Sequence, residues 1–323
     1  MVSIISYEII AQKLENQTAV MYHNCMKKYL SHLSAAIAWN IPYIDAVIGY
    51  SISDSDVPQF TVTEPNARFR SNGKKVHSCG LALPAGAILN RNGRMVASPE
   101  LVFLELAGEL SIHRLILLGL QLCSHPPGSP SLAVTTKQKL KTFLSNTEGH
   151  RGHRKALQAI KYVENGSASV MESIAYMILT LPHTLGGYGL SGAVFNYEIK
   201  LNREAQMRLG QKRCFVDLYY KHSKLAVEYE SFAFHNSPAE QGKDLIRAAI
   251  LERQGINMMH FSTIQLYDKE ACEDFVCNLA KRLKARIRIY SKKFDEMQVL
   301  LRDLLPVAQS RTDSDNKIVS NIN

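Results

Sequence analysis

Residues 213–230 read RCFVDLYYKHSKLAVEYE, a pattern typical of two β-strands joined by a tight turn. When the turn is centred on residues 222–223, Asp217 faces Glu228 directly across the hairpin. Glu230 lies on the same face as Glu228, because side chains alternate between the two faces along a strand. The sequence therefore predicts that three carboxylates converge on one patch of a β-sheet.

The spacing alone leaves two interpretations of this acidic patch open. Opposed carboxylates destabilise a sheet unless another group compensates their charge. A hard divalent cation does so, because such ions take oxygen ligands from a few carboxylates together with water and phosphate. In the other interpretation, the patch is an exposed sheet edge where each carboxylate pairs with Lys or Arg.

The segments around the hairpin predict helices and strands in the order αβββαβα. Ser169 is a good N-cap for a helix over 169–180, and Glu172 is placed to complete a capping box. Later in the chain, Ser237 and Pro238 predict another helix start. The remaining segments are strands at 193–200, 213–220, 224–231 and 257–262, a helix end at Gly255 and a last helix from Asp268.

The first half of the chain is predicted to be mostly helical, with small β-hairpins. Apolar residues recur at helical spacing through the first forty residues, and short β-prone runs follow within 44–88. The Asn-Gly pair at 72–73 predicts a hairpin turn. Ser98 is a good N-cap for a helix, and the basic stretch 136–164 is predicted to be helical as well.

These patterns divide the chain into three parts. We predict an N-terminal region over 1–165 that binds DNA or a partner, a second domain over 166–308, and a disordered polar tail over 309–323. The expected fold class is α/β, of the α+β kind, with a mixed sheet in the second domain.

The charge balance indicates the class of partner. The 323 residues include 38 Lys and Arg against 29 Asp and Glu, a formal net charge of +9. Such a surplus favours a polyanionic partner, DNA above all. Seven basic residues lie in the predicted last helix, which is either a solvated face or a surface that follows phosphates: Lys281, Arg282, Lys284, Arg286, Arg288, Lys292 and Lys293.

Several other classes of protein are disfavoured. No apolar run reaches the ~18 residues that a membrane-spanning helix needs. The first residues include Glu8 and no basic run, which is not the pattern of a signal peptide. The six Cys follow neither a zinc-ribbon nor a redox spacing, and the sequence contains no zinc motif. We therefore expect a cytoplasmic protein without a membrane partner.

The hairpin and its flanks resemble the PD-(D/E)XK endonuclease-like domains related to very-short-patch mismatch-repair endonucleases. The resemblance covers roughly residues 167–265. It depends on Val216-Asp217-Leu218 in the first strand, on the second strand up to Glu230, on His235, and on the helix with Asp244, Arg247 and Gly255. It implies a restriction-endonuclease-like αβββαβα core.

The same resemblance assigns roles to individual residues. It implies that Asp217 and Glu228 are the metal ligands, for Mg²⁺ or Mn²⁺. It gives Glu172 a part in holding the metal or positioning water, and His235 a part in acid–base chemistry or phosphate contact. Glu230 is a further site residue. It lies at the position of the lysine for which the K in PD-(D/E)XK stands.

Two departures from the family pattern bear on catalysis. Glu230 replaces the lysine that usually acts as electrophile, and Ser231 replaces the Gly that usually follows the second acid. Asp244 and Arg247, one helical turn apart, are interpreted as an ion pair on the helix surface and not as site residues.

The expected function is hydrolysis of DNA phosphodiester bonds by a Mg²⁺-dependent endonuclease or nickase. The alternative is a non-cleaving DNA-binding regulator that retains the nuclease fold. Residues 76–125 are similar to proteins of the abortive-infection type IV antitoxin group, through the sequence VASPE at 96–100 and the helix that follows it. This second resemblance implies a regulator-like, DNA-contacting N-terminal half.

Overall fold

The protein consists of α-helices arranged around two separate mixed β-sheets. The computed structural model describes residues 28–53, 57–64, 72–230 and 238–306, and only the backbone within 238–245. These ranges contain twelve α-helices. The fold is therefore mixed α/β of the α+β kind, as the sequence predicts.

The helices are mostly short, and several begin at the residue that the sequence marks as a cap. The Oγ atom of Ser98 accepts a hydrogen bond from the backbone N–H of Leu101, so the predicted helix start there is confirmed. In chain order the helices are α1 (His32–Ala38), α2 (Ile44–Ile48), α3 (Pro99–Ala107), α4 (Ile112–Leu122), α5 (Lys137–Leu144), α6 (His153–Ala159), α7 (Val170–Thr180), α8 (Arg203–Leu209), α9 (Pro238–Arg253), α10 (Thr263–Tyr267), α11 (Lys269–Leu283) and α12 (Phe294–Arg302).

The first sheet has five strands, in the order β3-β2-β1-β5-β4. Its β1–β2 and β4–β5 pairs are antiparallel, whereas its β1–β5 and β2–β3 pairs are parallel. The strands are β1 (Lys28–Leu30), β2 (Gln59–Val62), β3 (Lys75–Ser78), β4 (Ile88–Arg91) and β5 (Arg94–Ala97).

Two predictions for the first half differ from the structure. Residues 28–30 form a strand and not a helix, because pairing with β2 and β5 and burial of Tyr29 outweigh local helical spacing. The strand after the turn at 72–73 pairs in parallel with β2, and the hairpin observed in this sheet is β4–β5. Residues 1–27 and 65–71 lie outside the described residues.

The basic stretch 136–164, predicted as one helix, is divided into α5 and α6. Gly149 and Gly152 lie between them with φ of +84° and +85°, a backbone conformation that interrupts a helix and that glycine adopts without strain. A Cβ atom at Gly152 would come within 2.7 Å of the backbone nitrogen of Gly108, so the close approach of this loop to α3 also requires glycine.

The predicted basic helix near the end of the chain is divided as well. Helix α11 ends at Leu283, where Lys284 adopts a left-handed φ of +54°, and α12 begins only at Phe294. Arg286 and Arg288 therefore lie on an exposed connecting segment and not on a helix. The predicted tail, 309–323, lies outside the described residues.

The second sheet has four strands, in the order β6-β7-β8-β9. The β6–β7 and β7–β8 pairs are antiparallel, and β8–β9 is parallel. With α7, α9 and α11 these strands follow the predicted αβββαβα order, with the short helices α8 and α10 added. The strands are β6 (Ala193–Lys200), β7 (Arg213–Tyr220), β8 (Leu225–Glu230) and β9 (Asn257–Ser262).

The predicted register of the β7–β8 hairpin is confirmed. Leu218 pairs with Val227 and Tyr220 with Leu225, which is the alignment that brings Asp217 and Glu228 to facing positions. The strands are joined by a single helical turn that ends before Lys224.

Apolar side chains cover both faces of the second sheet. The larger core is continuous from the first sheet to the C-terminal helices, and it includes Leu118 of α4 and Ile178 of α7 on either side of residue 165. A smaller core on the opposite face contains Val216, Ala226 and Leu251. The acidic residues of the hairpin are consequently held in a sheet that is buried on both sides.

Candidate functional site

Asp217 lies in the middle of the second sheet, on β7. Its Oδ2 atom accepts a hydrogen bond of 2.8 Å from the backbone N–H of Tyr229 on the neighbouring strand. Burial raises the pKa of Asp217 above its ordinary value, and both this hydrogen bond and the positive charge of Arg247 oppose the rise. The carboxylate is therefore fixed in orientation and only partly compensated in charge.

Glu228 lies beside Asp217, on β8, with its side chain only 15% exposed. Its Oε1 atom is 2.9 Å from Nη2 of Arg247. Burial, together with the negative charge of Asp217, raises the pKa of Glu228 to about 7, although Arg247 acts in the opposite direction. One guanidinium therefore does not compensate all the negative charge at this place.

Glu172 approaches the same place from α7. Its backbone N–H donates to Oγ of the N-cap Ser169 at 3.1 Å, as predicted. Its Oε2 atom accepts hydrogen bonds from the backbone N–H of Ala168 and from Nδ2 of Asn196, each at 3.0 Å, so the carboxylate does not close the capping box onto Ser169 itself. Burial and the charge of Asp217 raise the pKa of Glu172 to about 7.

Asn196, which the sequence analysis does not select, organises the site from β6. It lies opposite Asp217 but has a left-handed φ of +41°, and the β6–β7 ladder skips this one position. Its side-chain amide also donates to the carbonyl oxygen of Gly166 at 2.9 Å. Asn tolerates this backbone conformation better than most residues, so an Asn inside a β-prone run was the available signal.

Because of this interruption, the side chains along β6 and β7 switch to the opposite face of the sheet at the site. Val216 belongs to the smaller core, whereas Leu218, two residues later, belongs to the larger core. In a regular strand, residues two apart lie on the same face. Asp217 therefore lies where the sheet is locally distorted, which allows its side chain to reach the backbone of β8.

Arg247 corrects another interpretation. It does not act only as a surface partner of Asp244, because its Nη2 atom donates to Glu228 and to the carbonyl oxygen of Phe215. The side chain of Asp244 lies outside the described residues. Ile250 and Leu251 are buried three and four residues later, so the helical period of α9 predicts that Arg247 faces the sheet.

Of the other two residues assigned by the resemblance, Glu230 is not brought into this cluster. Glu230 lies at the end of β8 with its side chain 58% exposed, and its Oε1 atom is 2.7 Å from Nδ1 of His260. His235 and Ser237 lie outside the described residues. The structure thus gathers Glu172, Asp217 and Glu228.

A surface groove of about 650 Å³ reaches the site at Arg247. It provides three further basic or hydrogen-bonding side chains, because Gln211, Lys212 and Arg213 line it together with Pro127, Cys214 and Phe215. Arg247 is therefore shared between the buried carboxylates and a groove with a positively charged wall.

The donor set at Asp217 and Glu228 fits a hard divalent cation. Each side chain offers only oxygen, the ligand atom that Mg²⁺ and Mn²⁺ prefer. Burial, and after it the negative charge of Asp217, raises the pKa values of Glu172 and Glu228, and a bound cation would offset both effects. The three carboxylates are not a tight triad: within the described ranges, the one set of three His, Cys, Asp or Glu side chains with ligand atoms all within 4.8 Å of one another is elsewhere.

Comparison of the chain with protein-family models, curated proteins and solved structures gives no match. In the part of the chain that the structure describes, none of the helices combines the length and the apolar character needed to cross a bilayer. Function has to be inferred from the chemistry of the site itself.

Proposed function

We propose that the protein is a metal-dependent endonuclease or nickase that hydrolyses DNA phosphodiester bonds, with a restriction-endonuclease-like core formed by α7, β6–β9, α9 and α11. The observation that carries the proposal is the buried group of Asp217, Glu228 and Glu172 with one arginine between the group and an open groove. Buried carboxylates in excess of their counter-charges are characteristic of functional sites.

Asp217 and Glu228 would hold the metal. When bound, Mg²⁺ or Mn²⁺ polarises the phosphate and lowers the pKa of a coordinated water. The N–H of Tyr229 orients Asp217, and Arg247 orients Glu228, so both carboxylates are held in place before substrate binds. Glu172, with a pKa of about 7, exchanges a proton near neutral pH and serves as the base that accepts the proton of the attacking water.

Arg247 takes the part of the absent motif lysine in this proposal. Its guanidinium lies 2.9 Å from Glu228 and also lines the groove, so it is placed between the carboxylates and an incoming backbone. Arginine can bond a carboxylate and a phosphate oxygen through different N–H groups. We propose that it binds a non-bridging oxygen of the phosphate that is cleaved.

The basic surface of the protein supports DNA as the substrate. Lys212 and Arg213 line the groove, and the exposed segment 284–293 carries further arginines and lysines. Contacts of this kind to phosphates provide affinity that does not depend on base sequence.

One set of observations favours the alternative, a non-cleaving DNA-binding regulator. Glu228 is already paired with the guanidinium of Arg247, and Glu230 contacts a ring nitrogen of His260, so two of the acidic residues have partners without a metal. A regulator of this kind would retain the basic groove and bind DNA without hydrolysis.

Nicking of supercoiled plasmid with Mg²⁺ or Mn²⁺ distinguishes the two functions. We expect the wild type to nick, and Asp217→Asn and Glu228→Gln to lose about a hundredfold or more in rate. Arg247→Lys should retain part of the activity, because it keeps the charge but loses the planar fork. Glu204→Gln removes an exposed carboxylate of the same domain and should nick like the wild type.

Two results would contradict the endonuclease proposal. One is nicking that persists unchanged in both Asp217→Asn and Glu228→Gln, which would assign the activity to a contaminant or to another site. The other is a wild type that does not nick DNA but binds it with the same affinity as the two variants. That result would favour the regulator.

A further inference from the structure

A second pocket, of about 220 Å³, lies between the first sheet and α3, and it shares no residue with the site around Asp217. Its lining includes two histidines that are far apart in the sequence, His32 at the start of α1 and His77 on β3. Cys79 and His150 line it as well, with Sγ of Cys79 3.6 Å from Nδ1 of His150. Ligand-type side chains are therefore concentrated around one cavity.

The two histidines meet a carboxylate here. The rings of His32 and His77 stack with their centroids 3.7 Å apart and an interplanar angle of 13°, so one ring has to rotate out of the stack before a nitrogen of each can bind the same ion. One ring nitrogen from each and one carboxylate oxygen of Glu109 all lie within 4.8 Å of one another. In the described part of the chain, this is the only set of three His, Cys, Asp or Glu side chains that meets that distance.

Oxygen atoms behind the histidines hold the rings in place. Nδ1 of His32 is 3.1 Å from Oγ of Ser31 and 3.6 Å from Oε2 of Glu105. Nε2 of His77 is 3.2 Å from Oε1 of Gln59. Histidines that bind metals typically use one nitrogen for the metal and bond the other to a carboxylate, carbonyl or hydroxyl oxygen.

Glu105 is itself fixed by the sheet, so the supporting layer is rigid. Its carboxylate accepts hydrogen bonds from the hydroxyl of Tyr29 at 3.0 Å and from the backbone N–H of His32 at 2.8 Å. It is a buried polar group with no part in the site on the second sheet. A support of this kind fixes which ring nitrogen faces the pocket.

We propose that His32, His77 and Glu109 form a binding site for a divalent transition-metal ion of the Zn²⁺ type. Two imidazoles and one carboxylate suit Zn²⁺, Co²⁺ or Ni²⁺, and they suit Mg²⁺ poorly, because Mg²⁺ takes oxygen ligands almost alone. Three protein ligands leave a fourth position for water or a small anionic ligand, as in catalytic zinc sites. The pocket, which His32 and His77 line and Glu109 does not, provides space for that fourth ligand beside the two rings.

Besides the stacking of the two rings, positive charge opposes the metal: Arg151 lines the pocket, and an ion pair of Glu109 has to be exchanged when the metal binds. Nζ of Lys75 lies 2.9 Å from Oε1 of Glu109, with half of the lysine side chain exposed. An exposed ion pair contributes little stability, so the lysine can turn to solvent at small cost.

Zinc titration of the chelator-treated, full-length protein tests the site. We expect one Zn²⁺ per chain, and an affinity reduced roughly tenfold or more in His77→Ala and in Glu109→Gln. His260→Ala is a matched control at a distant histidine and should bind Zn²⁺ like the wild type. Mg²⁺ should not compete for the site.

Thermal melting provides a second readout that separates binding from folding. Zn²⁺ should raise the Tm of the wild type and of Asp217→Asn, but not that of Glu109→Gln, whose side chain is 30% exposed. Three results would overturn the proposal: no stoichiometric Zn²⁺ binding by the wild type, unchanged binding in both ligand variants, or binding that is lost in Asp217→Asn. The last would assign the ion to the second sheet.

Discussion

Three buried carboxylates, two on the second sheet and one on α7, lie close together with one arginine bonded to the group. Asp217 and Glu228 lie on adjacent strands, Glu172 enters from a helix, and Arg247 is the cation bonded to one of them. Burial, and after it the negative charge of Asp217, raises the pKa values of Glu172 and Glu228 to about 7. Near neutral pH these two groups therefore change protonation state, which suits acid–base work.

Glu172→Gln should change how stability depends on pH. The carboxyl releases its proton near pH 4.5 when unfolded and near pH 7 when folded, so between these values the unfolded state binds fewer protons and wild-type stability falls as pH rises. The variant lacks this loss. The difference in free energy of unfolding, variant minus wild type, should therefore increase by on the order of 3 kcal/mol between pH 4 and pH 8.

Urea unfolding at several pH values, in buffer with a chelator, measures this difference. Glu204→Gln, at an exposed carboxylate, is the matched control and should follow the wild type throughout. A difference between Glu172→Gln and wild type that stays constant from pH 4 to pH 8 would contradict the raised pKa.

At the scale of single elements, the irregularity in β6 is what positions the site. The left-handed φ of Asn196 interrupts the ladder opposite Asp217, and its side chain ties α7 to the sheet through Glu172 and the carbonyl of Gly166. Residue Val216 and residue Leu218 then lie on opposite faces of the sheet. Local distortions of this kind re-aim side chains next to functional sites.

Replacement of Asn196 tests the contribution of this distortion. Asn196→Ala should lower the free energy of unfolding by about 2–3 kcal/mol, since it loses two hydrogen bonds and places a Cβ-bearing residue without a polar side chain at positive φ. Asn196→Gly loses the same hydrogen bonds but accepts this φ, so it should be about 1 kcal/mol less destabilising. Urea unfolding measures both free energies. If Asn196→Gly lost as much stability as Asn196→Ala, or more, the result would contradict the positive φ of residue 196.

Basic residues are spread over both halves of the chain, and not all of them need to contact DNA. The chain has a net charge of +9. Basic residues lie on helices of the first half and on the connecting segment 284–293. Only the residues that touch phosphates change the salt dependence of affinity.

Arg286→Ala combined with Arg288→Ala should therefore lower the slope of log affinity against log salt by about 1–2, at roughly 0.9 per lost phosphate contact on duplex DNA. Lys139→Ala with Lys141→Ala removes the same charge from exposed positions on α5 and is the matched control. Fluorescence anisotropy over a range of salt concentrations measures both slopes. Equal changes in the two double variants would mean that overall charge, and not the 284–293 segment, determines the effect.

The sequence by itself determined the local framework of the second sheet. Caps, alternation and turn residues act over a few positions, so they suffice to place α7, strands β6–β9 and the register that opposes Asp217 and Glu228. The same local rules fail at residues 28–30, where two strands far away in sequence determine the conformation. A domain boundary near residue 165 stays a prediction. In the structure, residues from both sides of that position belong to the same larger core.

Only the tertiary structure decided which side chains share a site. Arg247 reaches Glu228 across 19 residues of chain, and Asn196 reaches Glu172 across 24, so no short-range pattern links either pair. Exposure at the end of β8 gives Glu230 a different partner, His260 on the neighbouring strand β9. His32 follows β1, His77 lies on β3 and Glu109 follows α3, so they meet only because both strands flank β2 and α3 packs against this sheet. This juxtaposition depends on long-range pairing and leaves no periodic trace in the sequence.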